Sequence, residues 1–252
     1  MQDQSAPVLW HRDGPVGIIT INRPEKRNAI NNAVQEGLSE AFDEFTADDE
    51  VRVIVLTGAG NVAFSAGADM SERMATMDAG GGNPTPGDGY NAPARCPKPV
   101  IAAINGFCYG GATRLSLNCD FRVGSPNAKF RFVGASYGIV VAASQLTWLV
   151  GPAVAKELLF TTRVVEAEEA EKLGLLNHVY PLESLLDEAV KLGKQIAENS
   201  PLAVGWAKKV VDAATVVLEG LEAQDAADAA TRRSEDHGER FREAAQRITG
   251  GR

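Results

Sequence analysis

Apolar positions recur at two different intervals along the first half of the chain. Val16 to Ile21 and Val51 to Leu56 are nearly unbroken apolar runs of strand length, and Val100 to Ile104 is a third, short as in a buried parallel sheet. Between the first two, Val34, Leu38, Ala41, Phe42 and Phe45 recur in steps of three and four behind Asn31 and Asn32, which predicts an amphipathic helix entered through an asparagine. Gly110 onward predicts a further helix toward Cys119, after which Phe121 to Val123 is extended again. From about residue 145 the interval turns helical: Leu185, Ala189, Leu192 and Ile196 share one face, and Pro201 opens another helix where proline is tolerated. Residues 74–96 contain AGGGNPTPGDGYNAP, a composition that holds neither helix nor ladder strand, and read as a mobile surface loop. The tail DAADAATRRSEDHGERFREAAQR offers only a thin apolar stripe, so its helices are expected to pack on a neighbouring copy.

Composition narrows the function. Of 252 residues, 33 are acidic and 25 basic, a net charge of −8, and no basic run is long enough to follow a phosphate backbone; nucleic acid is excluded as a partner. Every apolar stretch is broken before about 18 residues and the N-terminus is polar, so neither a membrane span nor a signal peptide is expected and the location expected is cytoplasmic. Cys96, Cys108 and Cys119 are odd in number and lack CxxC spacing, which argues against a disulfide framework and against a metal site; reduced, buried thiols are expected.

Three glycine patterns compete for the chemistry. GAGNVA at 58–63 fits a dinucleotide-binding turn, but the following Phe64, Ser65, Ala66 and Gly67 do not open a helix. GASYG at 134–138 fits a nucleophile elbow with Ser136 as nucleophile, and chain order allows Asp187 and His237 as partners; no HGG-type segment stands upstream to supply the second oxyanion donor. The third is a pair: AFSAGAD at 63–69 and NGFCYGG at 105–111 each follow a strand and bring small residues to a helix start. Two such turns side by side would aim free amides at one point, the arrangement that holds a developing oxyanion.

With those turns on the page, the chain resembles the enoyl-CoA hydratase/isomerase, or crotonase, superfamily from about Val8 to Phe241. The blocks that carry the resemblance are INRPEKRNAIN (21–31), VIVLTGAGNVAFSAGADM (53–70), KPVIAAINGFCYGGATRLSLNCDFRV (98–123), AKELLFTTRVVEAEEAEKLGLLNHVYP (155–181) and SPLAVGWAK (200–208). It implies an α/β fold of ββα units wound into a spiral over 1–195, with a helical oligomerisation region at 196–252 that docks as a homotrimer or a hexamer of two trimers. It implies an acyl-CoA thioester substrate, with coenzyme A arriving as part of that substrate and no permanent cofactor, and an oxyanion hole at the amides of Ala68 and Gly111. Lys26, Arg27, Ala29, Ala66, Asp69 and Met70 are then expected along the coenzyme A, with Phe241 contributed by a neighbouring subunit.

The pattern breaks where family hydratases carry their two glutamates. Those positions hold Arg114 and Gly134, and the glycine-rich turn that follows reads VAASQ at 141–145. Arginine keeps its proton at neutral pH and cannot serve as the base, so the usual hydration route loses both acid/base groups. Arg114 lies one turn beyond Gly111 and leans back over the thioester site. Two readings stay open for it: a grip on a carboxylate or enolate oxygen of a carboxylated or β-oxo acyl group, with decarboxylation or C–C cleavage as the chemistry, or a salt bridge that ties the helix down. Ser136 and Tyr137 stand beside the vacated position as replacement acid/base candidates, followed by Tyr109, Asp78, Asp88 and Tyr90. His11, His178 and His237 receive no role. The rivals to an enzyme of this type are a non-catalytic acyl-CoA-binding homologue and a serine hydrolase using Ser136.

Overall fold

The structure, a computed structural model, describes residues 3–78, 88–215 and 218–249. Strand β1 (Val8–Asp13) turns back on β2 (Val16–Ile21), and helix α1 (Asn32–Ala47) follows, its N-terminus capped by the Asn31 side chain, which accepts from the Val34 amide at 3.0 Å. Then one unit repeats with variation. β3 (Val53–Gly58), β4 (Ala63–Ser65) and α2 (Met70–Asp78) are followed, after the short helix α3 (Ala92–Arg95), by β5 (Val100–Ile104), β6 (Phe107–Tyr109) and α4 (Gly111–Leu117). β7 (Phe121–Gly124) and β8 (Lys129–Arg131) begin a third unit, which ends in a 3-10 turn at Val133–Tyr137 in place of a helix. This is the winding of ββα units that the resemblance implies.

Further along come α5 (Ala143–Thr161), broken at Gly151 ahead of Pro152, β9 (Val164–Glu166), α6 (Ala167–Lys172), β10 (His178–Val179) and α7 (Leu185–Ala197). Helices α8 (Pro201–Thr215), α9 (Leu218–Arg232) and α10 (Glu235–Thr249) complete the described residues. The first strands of each unit form a six-stranded sheet in the order β1-β2-β3-β5-β7-β10, parallel except for β1 against β2, and the second strands form a smaller sheet, β4-β6-β8-β9. Because side chains alternate along a strand, Ile54 and Leu56 of β3 join one core with α1 and Phe64. Val53 and Val55 join another beneath Leu185, Ala189 and Val190 of α7.

Two sequence expectations need correction. Residues 74–96 are not one loop: the Asp69 carboxylate accepts from the Ser71 amide at 3.1 Å and starts α2, which runs to Asp78, and 88–95 is helical around a buried Tyr90. The intervening 79–87 lie outside the described residues. The thin stripe of the tail does not await a neighbour either. Phe241 and Ala245 are buried within their own chain, where α10 packs on α2 and on the 133–137 turn.

Two cations, Arg122 buried and Lys98 half-buried, fix the helices nearest the site. Arg122, 2% exposed, has no carboxylate partner among the described residues; it donates to the carbonyls of Leu175 at 2.8 Å, Cys119 at 3.2 Å and Ser116 at 3.3 Å, closing the C-terminal end of α4. Lys98 does the same for α1 through the Phe45 and Asp48 carbonyls at 2.6 and 2.7 Å. Burial pushes the pKa of both groups down, and the carbonyl dipoles offset that cost. The three cysteines are free and buried as expected, with burial pushing the Cys108 thiol up to about 12. Arg122→Ala will leave these carbonyls without their donor and lower stability by about 2–4 kcal/mol in urea denaturation, loosening the helix that begins at Gly111.

Candidate active site

The smaller sheet sets the geometry of the two turns. β4 and β6 pair in parallel, Ala63 opposite Phe107 and Ser65 opposite Cys108, so the chain leaves both strands at the same edge. Gly67 takes φ +89°, a conformation favourable only to glycine, and a Cβ there would stand 2.5 Å from the Tyr109 carbonyl oxygen and 3.1 Å from the Gly111 nitrogen. The turns therefore touch through their backbones.

Their amides are left over by the surrounding ladder. Ile30 donates to the Gly67 carbonyl and accepts from the Asp69 amide at 2.8 and 2.9 Å, a parallel bridge that turns the N–H of Ala68 to the opposite side. The Gly110 amide is used by the Arg131 carbonyl, and Gly111 then opens α4, where an N–H has no partner within the helix. Ala68 and Gly111 both line one cavity of about 720 Å³.

Most of the predicted residues line that cavity. Lys26, Arg27, Ala29, Ala66, Asp69 and Met70 line one stretch of wall, and Arg114, Tyr109, Tyr137 and Phe241 line others. The turn bearing Lys26 and Arg27 is held by Asn28, fully buried at φ +55°, whose amide nitrogen donates to Ala59 and Ala63 carbonyls at 3.0 and 2.7 Å. Asp69 is engaged twice, capping α2 and pairing with Arg23 at 2.9 Å. Phe241 reaches the cavity from its own chain, packed edge-on against Tyr137 at 6.4 Å, which corrects the expectation of a neighbour's residue.

Other candidates lie elsewhere. Ser136 is exposed on the 3-10 turn, its hydroxyl donating to the Val133 carbonyl at 2.7 Å, and it is not among the residues lining the cavity; the turn is no strand-to-helix elbow. Asp187 is exposed on α7, while His237 is buried with its ring against the Tyr137 carbonyl and its pKa lowered by that burial. GAGNVA bends from β3 into β4 without opening a helix. Gly134 lines the cavity at the position where the resemblance places a glutamate, but a Cβ there would come within 2.7 Å of the Ile139 carbonyl oxygen, so this backbone has no room for one. Asp78 is exposed at the end of α2, and the side chain of Asp88 lies outside what is described.

Sequence reasoning missed two of the groups that dominate the electrostatics of the wall around Gly111, Arg73 and Arg232, and named the third, Tyr90, only as a loop-borne acid/base candidate. Tyr90 is 5% exposed, and its hydroxyl would stand 2.8 Å from a Cβ placed on Gly111; burial, outweighing the nearby arginines, pushes its phenol up to about 12. Arg73 lines the same wall with its guanidinium 5.5 Å from the Phe241 ring centre, and burial together with repulsion from Arg232 lowers it to about 10. Arg232 arrives from α9. Arg114 donates to Asn91 at 3.1 Å and lies 3.8 Å from Asp228, so the carboxylate partner of the salt-bridge reading is Asp228. The signal for Arg232 was hidden because it fell in the polar tail, and Tyr90, though a candidate, was expected on a mobile loop and not in the buried wall.

Gly111 is glycine because of Tyr90. Gly111→Ala will drive its methyl into the ring, with contacts at 2.8 to 3.0 Å, costing about 1–3 kcal/mol in thermal denaturation and displacing the hydroxyl. The double variant with Tyr90→Ala will recover part of that loss.

Known proteins can now be set against this geometry. The family profile described as enoyl-CoA hydratase/isomerase matches residues 11–248. A short-chain-enoyl-CoA hydratase of Clostridium acetobutylicum is 35% identical over 210 residues, covering 81% of this chain and 80% of that protein. A carnitinyl-CoA dehydratase of Citrobacter koseri is 37% identical over 82% of this chain and 80% of its own length. Among solved structures, a carnitinyl-CoA hydratase from Mycobacterium avium superposes with a TM-score of 0.86 at 29% identity, covering 96% of each chain. A match over nearly the whole chain, in sequence and in backbone, leaves one conclusion: this chain belongs to the enoyl-CoA hydratase/isomerase family.

Proposed function

We propose that the chain acts on an acyl-CoA thioester by holding the thioester oxygen between the amides of Ala68 and Gly111, so that charge gathering there as an enolate forms meets two fixed donors. The observation that carries this is the 3.1 Å approach of the Gly67 Cβ position to the Gly111 nitrogen, which sets the two free amides side by side on one cavity. Coenzyme A comes with the substrate. Lys26 and Arg27 are the exposed cations on that wall suited to its phosphates, with Ala29, Ala66, Asp69, Met70 and Phe241 lining its path. Three free, buried thiols suit a reducing, cytosolic setting.

The reaction follows from which protons this lining can move. Removing an α proton needs a base, yet the groups facing Gly111 are arginines, which keep their protons, and Tyr90, whose phenol sits near 12. Of the carboxylates lining the cavity, Asp69 is engaged by Arg23 and Glu72 by the Asn32 amide at 3.0 Å, while Glu25 is exposed on the turn that bears Lys26. Loss of an α carboxylate yields the same enolate without a base. The bonding pair passes into the enolate, the α carboxylate leaves as CO2, and Tyr90 gives its proton to the α carbon and regains one from water. Decarboxylation of a carboxylated acyl-CoA is therefore favoured over hydration, and over cleavage of a β-oxo acyl group, which would need a base to activate water. The scarcity of bases among the groups facing Gly111 also favours a second reading, a non-catalytic acyl-CoA-binding homologue.

Incubation of malonyl- and methylmalonyl-CoA in D2O separates the two. The expected result is a product with deuterium at the α carbon. Ala68→Pro, which deletes one donor, will slow it about 10²–10³-fold, and Tyr90→Phe about 10²–10⁴-fold. Thioesters that bind and emerge unchanged would establish the binding protein instead.

We also infer that copies of the chain associate through α8. Lys208 ties this helix to its own core through Asp120 at 2.8 Å, while Leu202, Trp206, Val210 and Val211 are each 59% exposed or more. Burying such side chains contributes roughly 1.5–3 kcal/mol each at full coverage, enough to favour a trimer or hexamer. In light scattering after size exclusion, Trp206→Glu will run as a smaller species than the parent; an unchanged mass with a parent already monomeric would remove α8 as an interface.

A further inference from the structure

On α9, Asp228 and Arg232 stand one turn apart, with Asp228 Oδ2 at 3.1 Å from Arg232 Nε and 3.8 Å from Arg114 Nη1. One carboxylate oxygen thus serves two guanidiniums on different helices. It serves neither well. Among the described residues Arg232 Nη1, Arg114 Nε and Asp228 Oδ1 are buried and meet no hydrogen-bond partner, and Arg232 Nε meets Asp228 only as an ion pair without hydrogen-bond alignment, in side chains 10%, 20% and 16% exposed for Arg232, Arg114 and Asp228. Buried charged donors without acceptors are costly, and a guanidinium presents five N–H groups in a planar fork that fits a carboxylate.

Both arginines line the cavity that holds Gly111 and Tyr90, whereas Asp228 is not among its lining residues. The other charged groups nearby are Arg73 and Glu72, and Glu72 already accepts from the Asn32 amide. Around Tyr90 the cavity lining thus carries three guanidiniums, Arg73, Arg114 and Arg232, against the single carboxylate of Glu72, with Asp228 behind, and two of those guanidiniums have buried N–H groups to spare.

We propose that Arg232 and Arg114 together form a carboxylate-recognition site at the acyl end of the cavity, so that the chain selects CoA thioesters whose acyl group carries a second carboxylate. Asp228 acts from behind as the counter-ion that keeps the two guanidiniums together. The site rests on the acyl-CoA reading given above and adds Arg232, a residue remote in sequence from the glycine turns, as its specificity determinant. A cationic acyl group is disfavoured by the same charges.

Calorimetric titration with succinyl-CoA, butyryl-CoA and free CoA tests it, since the first two differ mainly in the terminal carboxylate. The wild-type chain is expected to bind succinyl-CoA at least about tenfold more tightly than butyryl-CoA. Arg232→Gln will erase most of that preference by weakening succinyl-CoA alone, and Arg232→Lys, which retains the charge without the fork, will keep part of it. Equal wild-type affinity for the two esters overturns the site and leaves the acyl-CoA reading standing. Equal losses for both esters in a folded Arg232→Gln overturn it as well. Failure of every thioester to bind the wild-type chain overturns both readings together.

Discussion

Pairing of two three-residue strands is the constraint on which the candidate site depends. β4 and β6 are too short to contribute much burial of their own, yet their parallel register fixes where the chain emerges at Gly67 and at Gly110. Once both exits lie on the same edge, close backbone approach demands glycine at position 67; the amides of Ala66, Gly67 and Asp69 go to Arg27, Ser65 and Ile30, which leaves that of Ala68, and α4 can only begin with an unclaimed N–H. Side chains play little part in this. The six-stranded sheet, Asn28, Arg122 and Lys98 all act to hold the backbone of these two turns in place.

Much of the architecture was legible because its signals are local. β2 and β5 have the bounds read from their apolar runs, α1 begins behind Asn31, and α7 and α8 start at Leu185 and Pro201. β3 runs two residues later than its apolar run, through Thr57 and Gly58, because its register is set by pairing with β2. The short strands β4, β6 and β8 gave no periodic signal, since three residues do not complete a pattern; small residues at a strand exit were the clue to two of them. The blocks shared with the family carried the rest of the fold.

The wall around Gly111 was less legible, for a physical reason. Its lining is assembled from residues far apart in sequence: Arg73 and Tyr90 from a region whose glycines and prolines masked two helical segments, Arg114 from α4, and Arg232 from a helix that looks purely solvated. A charged residue on a polar helix is indistinguishable from a surface charge until the helix is docked. Arg114 and Gly134, at the positions where the resemblance places glutamates, could by contrast be read at once, and the backbone at Gly134 has no room for a side chain.

The cations that support the site differ in kind from those at its mouth. Arg122 and Lys98 are bonded to carbonyl oxygens at helix ends, the first fully buried and the second half-buried, whereas Lys26 and Arg27 stand in solvent. Ionic strength acts on the second pair and leaves the first untouched, because screening operates through water over a Debye length of about 8–10 Å. Raising salt therefore slows the capture of a phosphate-bearing ligand while the placement of the two amides, and any step that follows capture, stays as it was.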